Sequence, residues 1–368
     1  MRVVVFGLAV SSSWGNGHAT TFRALLKALY QRGHRIVFFE KNEEWYESNR
    51  DLPNPTFCDL RIFEKWDDEL PKIRTELNDC DVAIVGSYFP YGTRALDEVL
   101  ASKTTVKAFY DIDTPITYAK LKNGGPSYLE KRQLPGLDLY LSFTGGPILQ
   151  DLESRFGVKH ARPLYCSFDP QDHFRRPQNP RFRCDLSYMG THASDRQKKV
   201  HDYFLKPAQQ IPEATFILAG AQYPENMELP VNVKHLMHVS PPQHSEFYSA
   251  SRFTLNLTRQ DMVEAGYSPS VRLFEAAACG AAIITDDWPG LDSFFEMDDE
   301  ILIAQETSQI IQYLRDLDDQ QLQKMGTQAR ERVLEEHSSA ERARQLEHLI
   351  EEAIGHPLEK RPLAAMGF

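Results

Sequence analysis

The sequence lacks the cysteine pattern of a disulfide framework or of a structural zinc site. Its five cysteines are an odd number, and they are scattered without a C-x-x-C pair. Disulfide scaffolds and zinc ribbons need paired or closely spaced cysteines. We therefore expect reduced, packed thiols and a cytoplasmic protein.

Long apolar runs and excess positive charge are also absent. No stretch is long enough to span a bilayer as a helix, and the opening run MRVVVFGLAVSSS is too short for a signal peptide, so we interpret it as a first strand. The formal charge of −11 at pH 7 excludes a general attraction to nucleic acid or anionic membrane. Any site for nucleotide phosphates must therefore be a local basic pocket.

The three-glycine dinucleotide fingerprint is missing from the first strand-to-helix turn, so NAD binding is not predicted. Residues 2–10 predict a strand and residues 19–32 a helix, with Gly15 and Gly17 in the loop between them. Such a unit opens a Rossmann-like domain, and its free backbone N–H groups can hold anionic or polar groups. His18 follows the loop, either as a general base or as a structural residue that bonds a nearby carbonyl.

The chain of 368 residues is long enough for two domains, and its 42% hydrophobic and 25% charged residues are typical of a globular protein. Short β-rich runs alternate with helical periodicity, which predicts an α/β fold. A segment rich in Pro, Asp, Arg and Gln separates the halves. We predict domains at 1–166 and 185–338, a linker at 167–184, a last helix at 339–355 and a flexible tail at 356–368.

Residues 268–290, SPSVRLFEAAACGAAIITDDWPG, organise the second half. They predict a helix at 271–278 that Gly280 ends, followed by a buried strand at 281–285. Arg272 and Glu275 are three residues apart and share a helix face. Arg can clamp a diphosphate and Glu can accept both hydroxyls of a ribose. On spacing alone, a local ion pair between them explains the pattern equally well.

The segment FEAAACG at 274–280 resembles the E-A-M-A-C-G segment of GT-B glycosyltransferases, in which the Glu contacts the ribose of the donor. From Arg2 to about residue 340 the chain resembles the CgeB-like (spore maturation) family, in SSSWGNGHATT, FYDIDTP, LSFTGGP, LAGAQYP, FTLNLTRQDMVEAGYSPSVRLFEAAACG and WPGLD. The resemblance implies a bacterial-type GT-B fold with a glycosyl transferases group 1-type C-terminal domain. Two Rossmann-like domains would face each other across a cleft, and the C-terminal helix would cross back to the N-terminal domain.

The resemblance places the nucleotide-sugar donor on the second domain. It implies a basic residue early in that domain for the donor diphosphate, either Arg196 or one of Lys198 and Lys199. The candidate donor-binding residues are Gly190, Arg196, Arg259, Tyr267, Ser268, Arg272 and Glu275. The larger retaining family has a second Glu eight residues before the ribose-binding one, where this chain has Tyr267. This departure leaves the donor sugar and the anomeric outcome open.

The first domain would bind the acceptor. His18 and Asp111 are the candidate catalytic residues, and the candidate acceptor-side residues are Gly15, Gly17, Asp113 and Tyr88. A structural role is the alternative for three of these residues: helix capping and loop structure for the two aspartates, and core packing for Tyr88. A D-x-D metal site is conceivable, but GT-B enzymes usually need no metal, so we predict none.

The sequence thus predicts a metal-independent glycosyltransferase, of the EC 2.4 class, that moves a sugar from a nucleotide-diphosphate sugar to an acceptor hydroxyl. A UDP-sugar is the expected donor, no other cofactor is expected, and the acceptor is a protein, glycan, lipid or small molecule. Two alternatives stay open: a sugar-nucleotide epimerase of the same fold, and a non-catalytic protein that binds a nucleotide sugar or glycan.

Overall fold

The computed structural model describes residues 1–14, 17–224 and 226–356. The candidate residue Gly15 and residues 357–368 of the tail expected at 356–368 lie outside the described residues. The chain divides into two compact units, one formed by Met1–Cys166 with the chain from Ser339 onward, the other by Ser167–Ser338.

The first unit is built, in its described residues, on one seven-stranded sheet in the order β3-β2-β1-β4-β5-β6-β7. All neighbouring strands are parallel. The strand order reverses direction beside β1, and ligands bind α/β sheets at such points, beyond the carboxyl ends of the strands. The strands are β1 Arg2–Phe6, β2 Arg35–Lys41, β3 Asp59–Phe63, β4 Val82–Gly86, β5 Val106–Asp111, β6 Leu139–Ser142 and β7 Ala161–Pro163.

Helices connect these strands and bury both faces of the sheet, as parallel strands require. They are α1 Gly17–Gln31, α2 Glu44–Glu47, α3 Trp66–Asn78, α4 Gly92–Ala101, α5 Thr114–Lys122 and α6 Pro147–Phe156, with a 3-10 turn at Lys131–Gly136. Successive residues of β1 point to opposite faces. Val4 packs in the same core as Trp66 of α3, whereas Val5 packs with Phe22 of α1.

The second unit contains, within the described residues, a six-stranded parallel sheet in the order β10-β9-β8-β11-β12-β13. Its strands are β8 Cys184–Met189, β9 Phe216–Ala219, β10 Val233–Leu236, β11 Ser251–Asn256, β12 Ala282–Thr285 and β13 Leu302–Ile303. Its helices are α7 Gln197–Val200, α8 Lys206–Gln210, α9 His244–Ala250, α10 Gln260–Ala265, α11 Val271–Ala278, α12 Thr307–Asp316 and α13 Asp319–Glu336, with a π-helical turn at His201–Leu205. The predicted helix at 271–278 is confirmed.

The last helix, α14 (Ser339–Ile354), belongs to the first unit and packs against α1. Leu346 and Ile350 are buried in the core that contains Val5. At the surface, Nε of Arg32 donates to Oε1 of Glu347 at 2.8 Å. Among the described residues, no helix has the length and apolar character needed to cross a bilayer.

One predicted boundary was wrong. The first strand ends at Phe6 rather than at residue 10, because the amides of Val10 and Ser11 donate to the Glu40 carboxylate instead of a neighbouring strand. Thr114 is the first residue of α5. Its hydroxyl lies 2.7 Å from that of Ser142 and donates to the Asp111 carbonyl.

Candidate functional site

Arg272 lies at the carboxyl ends of the strands of the second sheet. The Ser270 side chain accepts from the Arg272 amide at 3.3 Å and so begins α11 as its N-cap. The Arg272 side chain then reaches away from the helix: Nε donates to the Met189 carbonyl at 2.6 Å and Nη1 to Oδ1 of Asn256 at 2.9 Å. These two bonds fix the guanidinium over the ends of β8 and β11. Its Nη2 forms no hydrogen bond within the described residues.

Gly190 leaves room for this guanidinium. A Cβ at Gly190 would lie 3.2 Å from Nη2 of Arg272 and 2.8 Å from the hydroxyl oxygen of Tyr188. The Tyr188 hydroxyl is buried and forms no hydrogen bond in the part of the chain that the structure describes. The guanidinium carbon of Arg272 lies 5.5 Å from the centre of the Tyr188 ring, so the cation also contacts this aromatic side chain.

Arg196 approaches the same edge from the turn after β8. Its Nη2 donates to the Thr191 carbonyl at 2.9 Å. Burial raises the pKa of Tyr223, and the positive charges of Arg196 and Arg272 oppose that rise. Tyr223 itself donates to the Gly190 carbonyl at 3.2 Å. Arg196, Gly190 and Arg272 therefore lie at the same edge of the second sheet, and a donor site there stays a prediction.

The two lysines that were alternatives to Arg196 point in different directions. Nζ of Lys199 donates to the Thr258 carbonyl at 2.9 Å and to Oδ2 of Asp286 at 2.7 Å, at the ends of β11 and β12. Lys198 is 90% exposed and pairs with Asp202 along the helix. Only Lys199 of these two lies at the strand ends.

The loop before α11 holds Tyr267 and Ser268. Tyr267 has φ 47°, and its amide donates to the Pro289 carbonyl at 2.6 Å. A Cβ at Gly290 would lie 2.4 Å from the Tyr267 ring, so only glycine fits there. Ser268 is buried. Arg259 lies farther out, and its Nε is 3.3 Å from Oδ2 of Asp195.

Glu275 lies one turn further along α11 and is buried. Its Oε1 is 3.5 Å from Nε2 of His173 and its Oε2 is 4.0 Å from Nδ1 of His244. No ion pair joins Glu275 to Arg272 in the described chain, so the local-pair interpretation of their spacing fails. The ligating atoms of His173, His244 and Glu275 lie within 4.8 Å of one another and could hold a metal ion, although the sequence predicted none.

In the first unit, Asp111 ends β5 and is fully buried. Its Oδ2 accepts from the Tyr140 hydroxyl at 2.5 Å, and its Oδ1 accepts from Thr117 at 2.8 Å and from the Asp113 amide at 3.3 Å. Burial raises the pKa of Asp111 to about 6. Because both oxygens are bonded within the protein, the geometry favours a role in positioning the loop over direct contact with an acceptor.

His18, Tyr88 and Asp113 come together at the carboxyl edge of the first sheet. The rings of His18 and Tyr88 are 5.4 Å apart and nearly perpendicular, and the Tyr88 hydroxyl donates to Oδ2 of Asp113 at 3.1 Å. Tyr88 has φ 62°, and backbone strain of this kind clusters at functional sites. Burial lowers the pKa of His18 to about 4, so its imidazole is neutral at physiological pH. Gly17, the first residue of α1, is exposed.

Several residues that support these sites were missed from the sequence. Asn256 ends β11 and holds Arg272, His173 and His244 flank Glu275, and Glu40 accepts the amides of Val10 at 2.7 Å and Ser11 at 3.0 Å. The sequence pattern that could have identified them is weak. Asn256 and Glu40 are polar residues at the ends of apolar strands, and ligands of α/β folds bind near such strand ends.

Comparison with known proteins identifies the architecture. Residues 196–348 match a family described as "Glycosyl transferase-like". A search of curated protein sequences found no match. Solved structures similar to this chain include sucrose-phosphate synthase from Thermosynechococcus elongatus, with 13% identity, a TM-score of 0.68 and coverage of 96% of this chain and 99% of the other.

Two further structures contain a sugar nucleotide. Anabaena Alr3699/HepE in complex with UDP-glucose has 12% identity, a TM-score of 0.63 and coverage of 96% and 99%. An alpha-glucosyltransferase in complex with UDP-glucose and DNA has 14% identity, a TM-score of 0.66 and coverage of 95% and 98%. The chain has the GT-B fold. Its second half carries a glycosyltransferase group 1-like domain.

Proposed function

We propose that this protein is a glycosyltransferase of the CgeB-like type that transfers a sugar from a UDP-sugar to an acceptor hydroxyl without a metal at the donor diphosphate. UDP is proposed as the donor nucleotide because structural neighbours were solved with UDP or UDP-glucose. The free cysteines are compatible with the cytoplasmic location that the proposal includes.

One observation carries the proposal: Met189 and Asn256 fix Arg272 at the N-terminus of α11, and no hydrogen bond within the described residues occupies its Nη2. A helix N-terminus carries partial positive charge and free N–H groups, which favour a phosphate. Arg196 adds a second guanidinium at this edge of the sheet, where its Nη2 donates to the carbonyl of Thr191, the residue after Gly190. In the proposed reaction these groups stabilise the negative charge that develops on the departing diphosphate.

Glu275 is the proposed partner of the donor ribose. Its carboxylate is held between His173 and His244 rather than by Arg272. A carboxylate has about four lone-pair positions, so these neighbours leave it able to accept from ribose hydroxyls. Arg259, Tyr267 and Ser268 complete the proposed donor site as parts of the loops that border it.

The proposed acceptor site uses His18, Tyr88 and Asp113, with Gly17 allowing close approach at the start of α1. The neutral imidazole of His18 accepts the proton of the acceptor hydroxyl while the oxygen of that hydroxyl forms a bond to the anomeric carbon of the donor sugar. The bond from that carbon to the diphosphate breaks, and UDP leaves with the electron pair. Asp111 positions the Asp113 loop through its bond to the Asp113 amide.

Release of UDP from a panel of UDP-sugars, measured with purified protein, tests the proposal. When no acceptor is present, water can take its place at a reduced rate. We therefore expect slow UDP release by the wild-type protein and no UDP release by the Arg272→Ala variant. UDP-sugars that stay intact, with and without candidate acceptor alcohols and sugars, contradict a transferase. Conversion of the sugar without UDP release identifies an epimerase.

A further inference from the structure

His173, His244 and Glu275 form a compact cluster from distant parts of the second unit. His173 precedes β8, His244 is the first residue of α9 and Glu275 lies within α11. His173 is 7% exposed and Glu275 5%. Neither nitrogen of His173 forms a hydrogen bond within the described residues. A buried imidazole whose nitrogens form no hydrogen bond calls for an explanation, and an ion bound at the site is one of the recognised ones.

The tautomer of His244 leaves its unprotonated nitrogen beside Glu275. Its Nε2 lies 3.2 Å from the Val239 carbonyl oxygen, which can only accept, so Nε2 carries the hydrogen. In the neutral ring, Nδ1 then directs a lone pair toward Oε2 of Glu275 at 4.0 Å. Two acceptors that face each other in a buried site repel, and a cation between them converts that repulsion into attraction.

The distances suit a shared ion better than direct hydrogen bonds. Nε2 of His173 is 3.5 Å from Oε1 of Glu275, which is too long for a good hydrogen bond. Ligand atoms about 2.0–2.1 Å from a tetrahedral ion lie roughly 3.3 Å from one another. The 3.5 Å between Nε2 of His173 and Oε1 of Glu275 is close to this spacing, and Nδ1 of His244 lies 4.0 Å from the other carboxylate oxygen. One ligand atom from each of the three residues lies within 4.8 Å of the others, so the side chains would draw inward around a bound ion.

We propose that His173, His244 and Glu275 bind one divalent transition-metal ion, with zinc as the best match. Two imidazoles and a carboxylate are a common three-ligand set for zinc, whereas Mg²⁺ and Ca²⁺ prefer oxygen ligands alone. The Val239 carbonyl orients His244 from the second coordination sphere, as metal-bound histidines usually require. The ion would tie the chain before β8 to α9 and α11 and would hold the Glu275 carboxylate in place.

This inference is independent of turnover, although it shares Glu275 with the proposed donor site. The ion would hold the carboxylate without contacting the diphosphate, which remains with Arg272 and Arg196. Metal binding can be measured without any nucleotide. Failure of the metal site and failure of the glycosyltransferase proposal are therefore distinguishable.

The test uses the full chain without a histidine tag, stripped with a chelator and titrated with Co²⁺ and then Zn²⁺. We expect one Co²⁺ per chain, with the visible absorption of tetrahedral cobalt, and loss of that absorption as Zn²⁺ displaces it. Zn²⁺ is also expected to raise the melting temperature, because it binds the native state.

His173→Asn is the most informative variant, since neither side-chain nitrogen of His173 forms a hydrogen bond within the described residues. It is expected to have a melting temperature near that of the stripped wild-type protein. It is also expected to lose both the cobalt spectrum and the Zn²⁺-induced rise in melting temperature, and the same is expected of His244→Asn and Glu275→Gln. His348→Asn on α14, where the side chain is 70% exposed, is the control and is expected to retain both. A wild-type protein without a cobalt spectrum or Zn²⁺ shift, or a His173→Asn variant that keeps them, overturns the proposal.

Discussion

Nη1 of Arg272 donates to Oδ1 of Asn256 at 2.9 Å, and this bond sets the direction of the guanidinium at the strand ends. The Asn256 amide is itself oriented, because its Nδ2 donates to the Thr285 hydroxyl at 3.0 Å. Asn256 and Thr285 end the neighbouring strands β11 and β12. The position of Arg272 therefore depends on the register of the sheet as well as on the helix that carries it.

Asp111→Asn is predicted to change the pH dependence of stability. Burial raises the pKa of Asp111 from 3.8 to about 6. Between these two pH values the Asp111 carboxyl is protonated in the native chain but ionised in the unfolded chain. Stability contributed by this group therefore falls as pH rises from about 4 to about 6. Between pH 4 and pH 7, the free energy of unfolding of the wild type should fall by roughly 2–3 kcal/mol relative to the variant.

Urea unfolding of both proteins across this pH range measures the effect. Asp67→Asn provides a control, because the Asp67 carboxylate is 76% exposed. A difference between wild type and Asp111→Asn that does not vary with pH would show that Asp111 is ionised normally in the folded protein.

His18→Ala is predicted to lower kcat about 100-fold or more, the usual loss on removal of a general base. Because burial lowers the pKa of His18 to about 4, its protonation should leave kcat/KM unaffected between pH 7 and about pH 5. UDP-release rates over this range measure the profile. Tyr88→Phe keeps the ring that packs on His18 but removes the bond to Asp113, and we expect a smaller loss. An acid limb near pH 6.5 that vanishes in His18→Ala contradicts the buried, neutral imidazole.

Gly290→Ala is predicted to destabilise the second unit by about 1–3 kcal/mol and to weaken donor binding. The new Cβ would lie 2.4 Å from the Tyr267 ring, and Gly290 has φ 88°. Gly280→Ala is a matched control: Gly280 has φ 71°, and apart from its chain neighbours the nearest atom in the described residues lies 3.7 Å from the new Cβ. It should show only the backbone strain, of about 1 kcal/mol. Thermal unfolding compares the two variants, and equal losses would mean that the Tyr267 contact has no energetic weight.

Much of the architecture could be predicted from the sequence because buried parallel strands and amphipathic helices leave strong local patterns. The helix at 271–278 followed from the sequence pattern, whereas Arg196 was a candidate only through the resemblance to GT-B enzymes. His173, His244 and Asn256 could not be found this way, because their roles depend on contacts between distant parts of the chain. The burial of Asp111 could not be predicted either. The sequence pattern of an aspartate at a strand end is the same whether its carboxylate faces solvent or accepts hydrogen bonds from Tyr140 and Thr117.

Calorimetric titration of UDP into the wild type, Arg272→Ala and Arg315→Ala tests the central claim most directly. Arg315 is an exposed arginine on α12 and controls for the loss of one positive charge. Hydrogen bonds to charged groups contribute roughly 1.5–3 kcal/mol. We therefore predict UDP binding by the wild type and Arg315→Ala, and a loss of affinity of roughly 10- to 100-fold in Arg272→Ala. Absence of UDP binding in the wild type, or unchanged affinity in Arg272→Ala, would contradict a donor diphosphate site at the N-terminus of α11.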